Sequence, residues 1–168
     1  MTRWHTTCLV AIVLLAFAAV ATAAQYRTYA NPRFGTTADV PADWKSDPPP
    51  ANGDGLRFNS PDKRASITVS GSLNIYDTVE EAMKSYEEPG EGEKITYRRR
   101  EPRAIVVSGT RGNTIFYGKH ILSCGDQIWN SVYLEYPAAE KAAYDALVTH
   151  VAASLRPGRS AQVPNCSK

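Results

Sequence analysis

The stretch AIVVSGTRGNTIFYGKHILSCGDQIWNSVYLEY, residues 104–136, decides the fold, because it contains three successive strand patterns separated by short turns. The strand patterns are rich in β-branched and aromatic residues and cover residues 104–109, 114–124 and 127–136. Arg111-Gly112-Asn113 and Gly125-Asp126 join them, and glycine beside Asn or Asp is typical of hairpin turns. The stretch therefore predicts three neighbouring antiparallel strands of one sheet.

The last of these strands has apolar side chains on both faces. They are Ile128, Val132, Leu134 and Tyr136 on one face, and Trp129 and Tyr133 on the other. Successive side chains of a strand point to opposite faces of a sheet, so both faces of this strand need a covering layer. The pattern predicts a central strand with helices packed above and below it.

A helix and a further strand precede the stretch. The strand covers residues 94–100 and is joined to the next strand by Glu101-Pro102. The helix has one apolar stripe with the spacing i, i+3, i+4, i+7, made of Val79, Ala82, Met83 and Tyr86. Asp77 or Thr78 caps this helix, because each is followed three residues later by a glutamate, which is the capping-box pattern.

Three short strand patterns lie closer to the N-terminus, at residues 34–40, 56–59 and 64–70. Asn52-Gly53-Asp54-Gly55 precedes the second pattern, and Ser60-Pro61-Asp62-Lys63 joins it to the third. Both connecting segments have the composition of turns, in which glycine adopts positive φ and proline fixes the first corner. Residues 34–70 therefore predict three strands.

A second helix follows the stretch. Pro137 begins it, because a proline at the first helical position costs no hydrogen bond, and Pro157-Gly158 ends it. Its core stripe is Tyr144, Leu147, Val148, Val151 and Leu155. The order of elements is βββ-α-ββββ-α, which predicts an α+β fold: an antiparallel sheet of about seven strands with helices on both faces, an α/β/α sandwich.

Residues 1–23 have the composition of a signal peptide. Arg3 precedes an almost purely apolar run at residues 8–20, and small residues follow in the pattern that signal peptidase reads. A transmembrane helix, the alternative, needs about 20 apolar residues. We therefore predict a cleaved signal peptide, a mature chain that begins at Ala24 or Gln25, and a periplasmic or secreted location. No later segment could span a bilayer.

The mature sequence predicts a single domain at residues 24–158 with a tail at residues 159–168, long enough for one substantial core. The formal net charge of +2 at pH 7 predicts neither a nucleic-acid binder nor strong attachment to a membrane surface. Two cysteines remain after cleavage, Cys124 and Cys166. In an exported chain they predict an intramolecular disulfide, with two free thiols or a bond to another chain as the alternatives.

Patterns for metal ions, cofactors and nucleophiles are missing from the mature sequence. Aligning the turn at residues 52–55 with an EF-hand places Pro50 and Pro61 where calcium ligands are required. His120 and His150 are the mature histidines and lie outside any zinc motif. His120 shares a strand face with apolar residues, which indicates a partly buried, hydrogen-bonded structural histidine. We predict no metal, no cofactor and no catalytic residue.

A cysteine–histidine pair is the nearest approach to a catalytic pattern. Cys124 follows His120 by four residues, but residues four apart in a strand lie about 13 Å apart. Only His150 could therefore serve Cys124 as a base. Ser108 precedes a glycine and has no base near it in the sequence, so it gives no stronger signal.

The segment KITYRRREPR is strongly basic. Strict alternation places Lys94, Arg98 and Arg100 on one side and Arg99 on the other, with Arg103 just past the turn. One interpretation is an edge strand whose charge deters edge-to-edge pairing. The other is a docking patch, made of Lys94, Arg98, Arg100 and Arg103, for an anionic protein, polymer or lipid headgroup. Acids on and after the first helix could neutralise it: Glu80, Glu81, Glu87, Glu88, Glu91 and Glu93.

Four segments of the mature chain together resemble the PsbP-like fold. They are YANPRFGTTADVPADW (29–44), GDGLRFNSPDKRASITVSG (53–71), VVSGTRGNTIFYGK (106–119) and YLEYPAAEKAAYDALVTHVAASLRPG (133–158). That fold is shared by the extrinsic subunit P of photosystem II, a nuclear Ran-release factor and several bacterial periplasmic proteins, and the likeness is closest to exported bacterial domains. The resemblance implies a fold and no catalytic motif, because these proteins do unrelated, mostly non-catalytic work.

The function that these observations favour is an exported, non-catalytic accessory or binding module. The alternatives are a small-ligand carrier with a pocket between sheet and helix, and an enzyme of unrecognised type that uses His120, His150 or Cys124. A flat basic face favours the binding module, and an apolar pocket with few polar groups favours the carrier. Polar groups that converge in a cleft favour the enzyme.

Overall fold

A computed structural model describes residues 24–160, 163 and 166; the predicted signal peptide lies outside the described residues. The elements in chain order are β1 (Tyr26–Ala30), β2 (Thr37–Pro41), β3 (Lys45–Ser46), β4 (Gly55–Asn59), β5 (Ser66–Leu73), α1 (Val79–Ser85), β6 (Glu93–Glu101), β7 (Ala104–Arg111), β8 (Thr114–Ser123), β9 (Ile128–Pro137) and α2 (Lys141–Ser154). A short 3-10 turn, Ala138–Glu140, leads into α2.

Seven strands form one antiparallel sheet in the order β3-β4-β5-β9-β8-β7-β6. The strand β9 occupies the middle of this sheet, as its two-sided apolar pattern predicts. The strands β1 and β2 pair with each other in a separate sheet. The predicted antiparallel sheet is confirmed, with one difference: the pattern at residues 34–40 forms β2 of the small sheet, and the two-residue β3 takes an edge of the large one.

The two helices cover opposite faces of the large sheet, as predicted. Under α2 the core contains side chains from β5, β9, the helix and the residue that follows it: Ile67, Val69, Val132, Leu134, Val148, Val151 and Leu155. Under α1 a second cluster contains Ala82, Met83, Ile105, Val107, Leu122 and Trp129. In the part of the chain that the structure describes, no helix has the length and apolarity needed to cross a membrane.

The capping box predicted for α1 is present at Thr78. The Glu81 N–H donates to Thr78 Oγ1 at 3.2 Å, and the Thr78 N–H donates to the Glu81 carboxylate at 3.3 Å. Of the two predicted caps, the structure therefore selects Thr78. The helix has only seven residues, so it covers only part of its face of the sheet.

The C-terminal segment returns to the turn that follows β8. Cys166 is bonded to Cys124, which is the pairing predicted from the sequence. Val163 is buried against Phe34 and Ile128. These contacts hold the described part of the tail on the domain.

Candidate functional site

A β-bulge in β6 divides the predicted group of cations. The register between β6 and β7 shifts in the middle of β6, with Lys94 opposite Thr110 and Arg98 opposite Val107. Directly opposite residues share a face, and Thr110 and Val107 point to opposite faces. Lys94 therefore lies on the α2 face, whereas Arg98 and Arg100 lie on the α1 face. The prediction that these three share one side is wrong, because a bulge inserts one residue into the alternation.

The arginines at this edge of the sheet form ion pairs with acids of the same domain. Arg100 donates to Glu87 at 2.6 Å and to Glu80 at 2.8 Å, and the hydrogen bond from Arg100 lowers the pKa of Glu87 below its ordinary value. Arg103 pairs with Asp126 at 2.6 Å. These contacts tie α1 and the turn after β8 to the edge of the sheet.

A pocket of about 190 Å³ opens on the α1 face, beside the end of α1; we call it the α1-side pocket. The rings of Tyr86, Phe116 and Tyr133 line it. Two carboxylates, Glu88 and Glu93, also line it. The pocket thus combines aromatic walls with acidic side chains. Its aromatic and acidic residues come from the end of α1 and from the strands β6, β8 and β9.

His120 lies in the wall of this pocket and is only 5% exposed. Its Nδ1 lies 2.8 Å from Ser131 Oγ, and the Tyr86 ring stacks on the imidazole with centroids 3.8 Å apart. Its Nε2 has no hydrogen-bond partner among the described residues. Burial lowers the pKa of His120 to about 3, so the imidazole is neutral at physiological pH. The predicted role of a hydrogen-bonded structural histidine is therefore met at Nδ1 and not at Nε2.

Gly118 allows the unpaired nitrogen of His120 to lie close to the strand backbone. A Cβ atom at position 118 would lie 2.6 Å from His120 Nε2 and 3.4 Å from Tyr133 Cδ2. The rings of Tyr133 and Phe116 are stacked with their centroids 6.0 Å apart. No sequence pattern was predicted to form this site. The available signal was Gly118, because an isolated glycine inside a strand pattern indicates the close approach of another group.

The two carboxylates of the pocket are in different environments. Glu93 accepts hydrogen bonds from the Tyr133 hydroxyl at 3.1 Å and the Gly90 N–H at 3.0 Å, and it pairs with Arg111 at 3.7 Å. Burial, together with the negative charge of Glu93, raises the pKa of Tyr133 above its ordinary value. Glu88 is exposed and has no hydrogen-bond or ion-pair partner among the residues that the structure describes.

His120 is expected to make the protein less stable in mild acid. The folded state keeps the imidazole neutral down to about pH 3, whereas the unfolded chain takes up a proton near pH 6.5. Below pH 6.5 the unfolded state therefore binds more protons, and the free energy of unfolding falls by about 1.4 kcal/mol per pH unit from this group. In urea unfolding, His120→Gln is expected to reduce the loss of stability between pH 7 and pH 5 by about 2 kcal/mol.

The matched control for this experiment is His150→Gln. His150 is an exposed histidine of α2 that pairs with Asp39 at 3.0 Å. The control removes one imidazole, as His120→Gln does, but from an exposed position. It is expected to leave most of the acid-dependent loss in place. Equal pH dependence in wild type and His120→Gln would contradict the prediction.

The other predicted site residues lie away from the pocket. Cys124 is bonded to Cys166, with 4.6 Å between their Cα atoms. His150 lies on α2, across the sheet, and its ring stacks on Tyr26 with centroids 3.7 Å apart. The structure therefore does not bring His120, His150 and Cys124 into one site.

The turn at residues 52–55 is held by an arginine. Arg33 donates to the backbone oxygen of Asn52 at 2.7 Å and pairs with Asp54 at 2.5 Å. Gly53 has a φ of 66°. This is the positive φ that the composition of the turn predicts for glycine. Residues 24–160, 163 and 166 contain no group of three or more His, Cys, Asp or Glu side chains that could hold a metal ion.

Two solved structures share this architecture. The solution structure of cyanobacterial PsbP (CyanoP) from Synechocystis sp. PCC 6803 matches with a TM-score of 0.57 and 15% identity, over 86% of this chain and 98% of that chain. The Saccharomyces cerevisiae Ran-binding protein Mog1p matches with a TM-score of 0.55 and 10% identity, over 80% of this chain and 96% of that chain. No protein-family model and no curated protein matches the sequence. The chain has the PsbP-like fold, as its sequence predicts.

Proposed function

We propose that this chain is an exported, non-catalytic binding protein that holds a small ligand in the α1-side pocket. The observation that carries the proposal is the Nε2 atom of His120, which is buried and has no hydrogen-bond partner among the described residues, on a side chain that lines the pocket. Small-molecule sites are apolar pockets with a few placed polar groups. A buried polar group without a partner costs about 1–3 kcal/mol, and a hydrogen bond from a ligand would offset that cost.

Three features support binding rather than catalysis. Ser131, the hydroxyl partner of His120, is only 8% exposed in the central strand, so a substrate has little access to it. An imidazole whose pKa is lowered to about 3 is a weak general base at physiological pH. Cys124 is held in a disulfide and therefore offers no thiolate.

Export is supported by the disulfide and by the composition of residues 1–23. Disulfides persist in oxidising compartments and are rare in the cytosol. A basic start, an apolar run and small residues at its end are typical of a cleaved signal peptide. Together they favour a periplasmic or secreted protein.

Docking of an anionic partner on the arginine strand is less well supported. Arg100 and Arg103 already pair with acids of the same chain. Arg98 donates to the backbone oxygen of Glu87 at 3.3 Å. Lys94 lies on the opposite face of the sheet, so the four cations do not form one patch.

Fragment binding, followed by backbone amide chemical shifts, tests the proposed function. The probes are neutral, anionic and cationic fragments small enough for a pocket of about 190 Å³. We expect some of them to shift the amides of Gly118, His120 and Tyr133 with a Kd of about 1 mM, which is common for ligands of this size. No shift of these amides with any fragment would overturn the proposal.

Two variants change the pocket in different ways. The Cβ atom of Gly118→Ala would lie 2.6 Å from the present position of His120 Nε2, so the imidazole must shift, and fragment binding is expected to weaken at least about tenfold. Ser85→Phe narrows the pocket at the end of α1 without a change in the sheet, and Ser85→Ala is its matched control. Binding that survives in both Gly118→Ala and Ser85→Phe would place the ligand elsewhere.

A further inference from the structure

We infer that the ligand of the α1-side pocket is a small organic ammonium ion. The inference rests on the proposed function and adds the chemical class of the ligand. Aromatic rings, carboxylates and an unpaired buried imidazole nitrogen meet in one small pocket. The rings and the carboxylates favour a compact cation, and the imidazole nitrogen favours a ligand with a hydrogen-bonding group.

The aromatic walls provide the first argument. Tyr86, Phe116 and Tyr133 come from α1, β8 and β9 and line the same pocket. The face of an aromatic ring is negative, and it attracts an ammonium group that lies within about 6 Å of the ring centre. A set of rings around one small volume is the arrangement by which proteins recognise alkylated ammonium groups.

The carboxylates provide the second argument. Glu88 has no ion-pair partner among the described residues, so its charge is available to a ligand. Glu93 is held in place by the Tyr133 hydroxyl. No Lys or Arg is present among the described residues that line the pocket. An anionic ligand would therefore meet two carboxylates and no cationic side chain in the pocket lining.

Two arginines lie near these carboxylates, and neither forms an ion pair with Glu88. Arg111 pairs with Glu135 and, at 3.7 Å, with Glu93, so part of the charge of Glu93 is already balanced. Arg98 donates to the backbone oxygen of Glu87 at 3.3 Å. The uncompensated negative charge of the pocket is therefore that of Glu88.

The size of the pocket and His120 provide the third argument. A protein cavity of about 150 Å³ holds benzene, so a pocket of about 190 Å³ suits a molecule of the size of choline. His120 Nε2 has no partner among the described residues. A hydroxyl group of the ligand can either donate to this nitrogen or accept from it, whichever tautomer the ring has.

The test compares choline with 3,3-dimethylbutan-1-ol by chemical-shift titration of the mature protein. The two probes have the same shape and the same hydroxyl group and differ in charge. Choline is expected to bind about tenfold more tightly, because only the ammonium group interacts with the ring faces and the carboxylate. The shifts are expected at Gly118, His120 and Tyr133.

Three variants assign the contributions. Glu88→Gln is expected to weaken choline about fivefold and to leave the alcohol unchanged, whereas Glu91→Gln, an exposed acid outside the pocket, leaves both unchanged. Tyr86→Leu keeps an apolar side chain, removes the ring and is expected to weaken choline more than the alcohol.

The outcomes separate the inference from the proposed function. If the alcohol binds at these amides as tightly as choline, or if anionic or other neutral fragments bind there and choline does not, the inference is overturned and the binding function stands. If neither probe nor any fragment shifts these amides, both are overturned. If Glu91→Gln weakens choline as much as Glu88→Gln does, the ammonium group is not at Glu88 and the inference fails.

Discussion

Loss of the Cys124–Cys166 disulfide is expected to lower the free energy of unfolding by about 4 kcal/mol. The two cysteines are separated by 42 residues, and a crosslink over that span removes a corresponding amount of conformational entropy from the unfolded chain. The bond also holds the C-terminal segment, in which Val163 packs against Phe34 and Ile128. Urea unfolding of oxidised and reduced protein at pH 7 measures the difference.

The control for reduction is the double variant Cys124→Ser, Cys166→Ser. Reduced wild type and the double variant are expected to unfold at the same urea concentration, and the reductant is expected to leave the double variant unchanged. Non-reducing peptide mapping establishes that the oxidised sample contains the intramolecular bond. Coincident unfolding of oxidised and reduced wild type would contradict the prediction.

Asn31→Ala is expected to lower the free energy of unfolding by about 3 kcal/mol. Asn31 is 2% exposed, and its side-chain oxygen accepts hydrogen bonds from the N–H groups of Phe34 at 2.7 Å and Arg33 at 3.0 Å. Its Nδ2 donates to the backbone oxygen of Gly53 at 2.8 Å. Each buried hydrogen bond contributes about 1 kcal/mol, and alanine removes these three together with a longer one from Nδ2 to the Tyr29 hydroxyl at 3.4 Å. Thermal and urea unfolding both measure this change.

Asn52→Ala is the matched control for Asn31→Ala. Asn52 lies in the neighbouring turn, is exposed, and its side chain donates to Asp54 at 2.7 Å. A surface substitution of this kind changes stability by about 0.5 kcal/mol or less. Equal losses for the two alanine variants would show that the burial of Asn31 has no special effect.

Features that depend on a few neighbouring residues in the sequence were predicted correctly. Thr78 caps α1 through a residue three positions away, and the turn after β7 contains Gly112, whose φ of 58° suits glycine. The strand β9 was predicted to be central because both of its faces are apolar. In each example a short segment of sequence contains both the cause and the result.

The elements that depend on distant partners were missed or misplaced. The strands β1 and β3 have mostly polar, exposed residues, so no apolar alternation marks them. The strand β2 was recognised as a strand, but its pairing with β1 instead of the large sheet was not. The bulge in β6 changed the face of Lys94, because the register of a strand is set by its neighbour.

The candidate site is a product of the tertiary structure. Tyr86 is far in the sequence from His120 and Tyr133, and it meets them only when α1 packs over β8 and β9. The sequence by itself determined the fold class, the turns and a helix cap at Asp77 or Thr78, because periodicity and turn chemistry act over a few residues. The choice of Thr78 and the bond between the two cysteines were decided by the structure. Strand neighbours, the bulge and the unpaired Nε2 of His120 were decided by tertiary packing, because hydrogen-bond partners and burial depend on residues that the chain brings together from a distance.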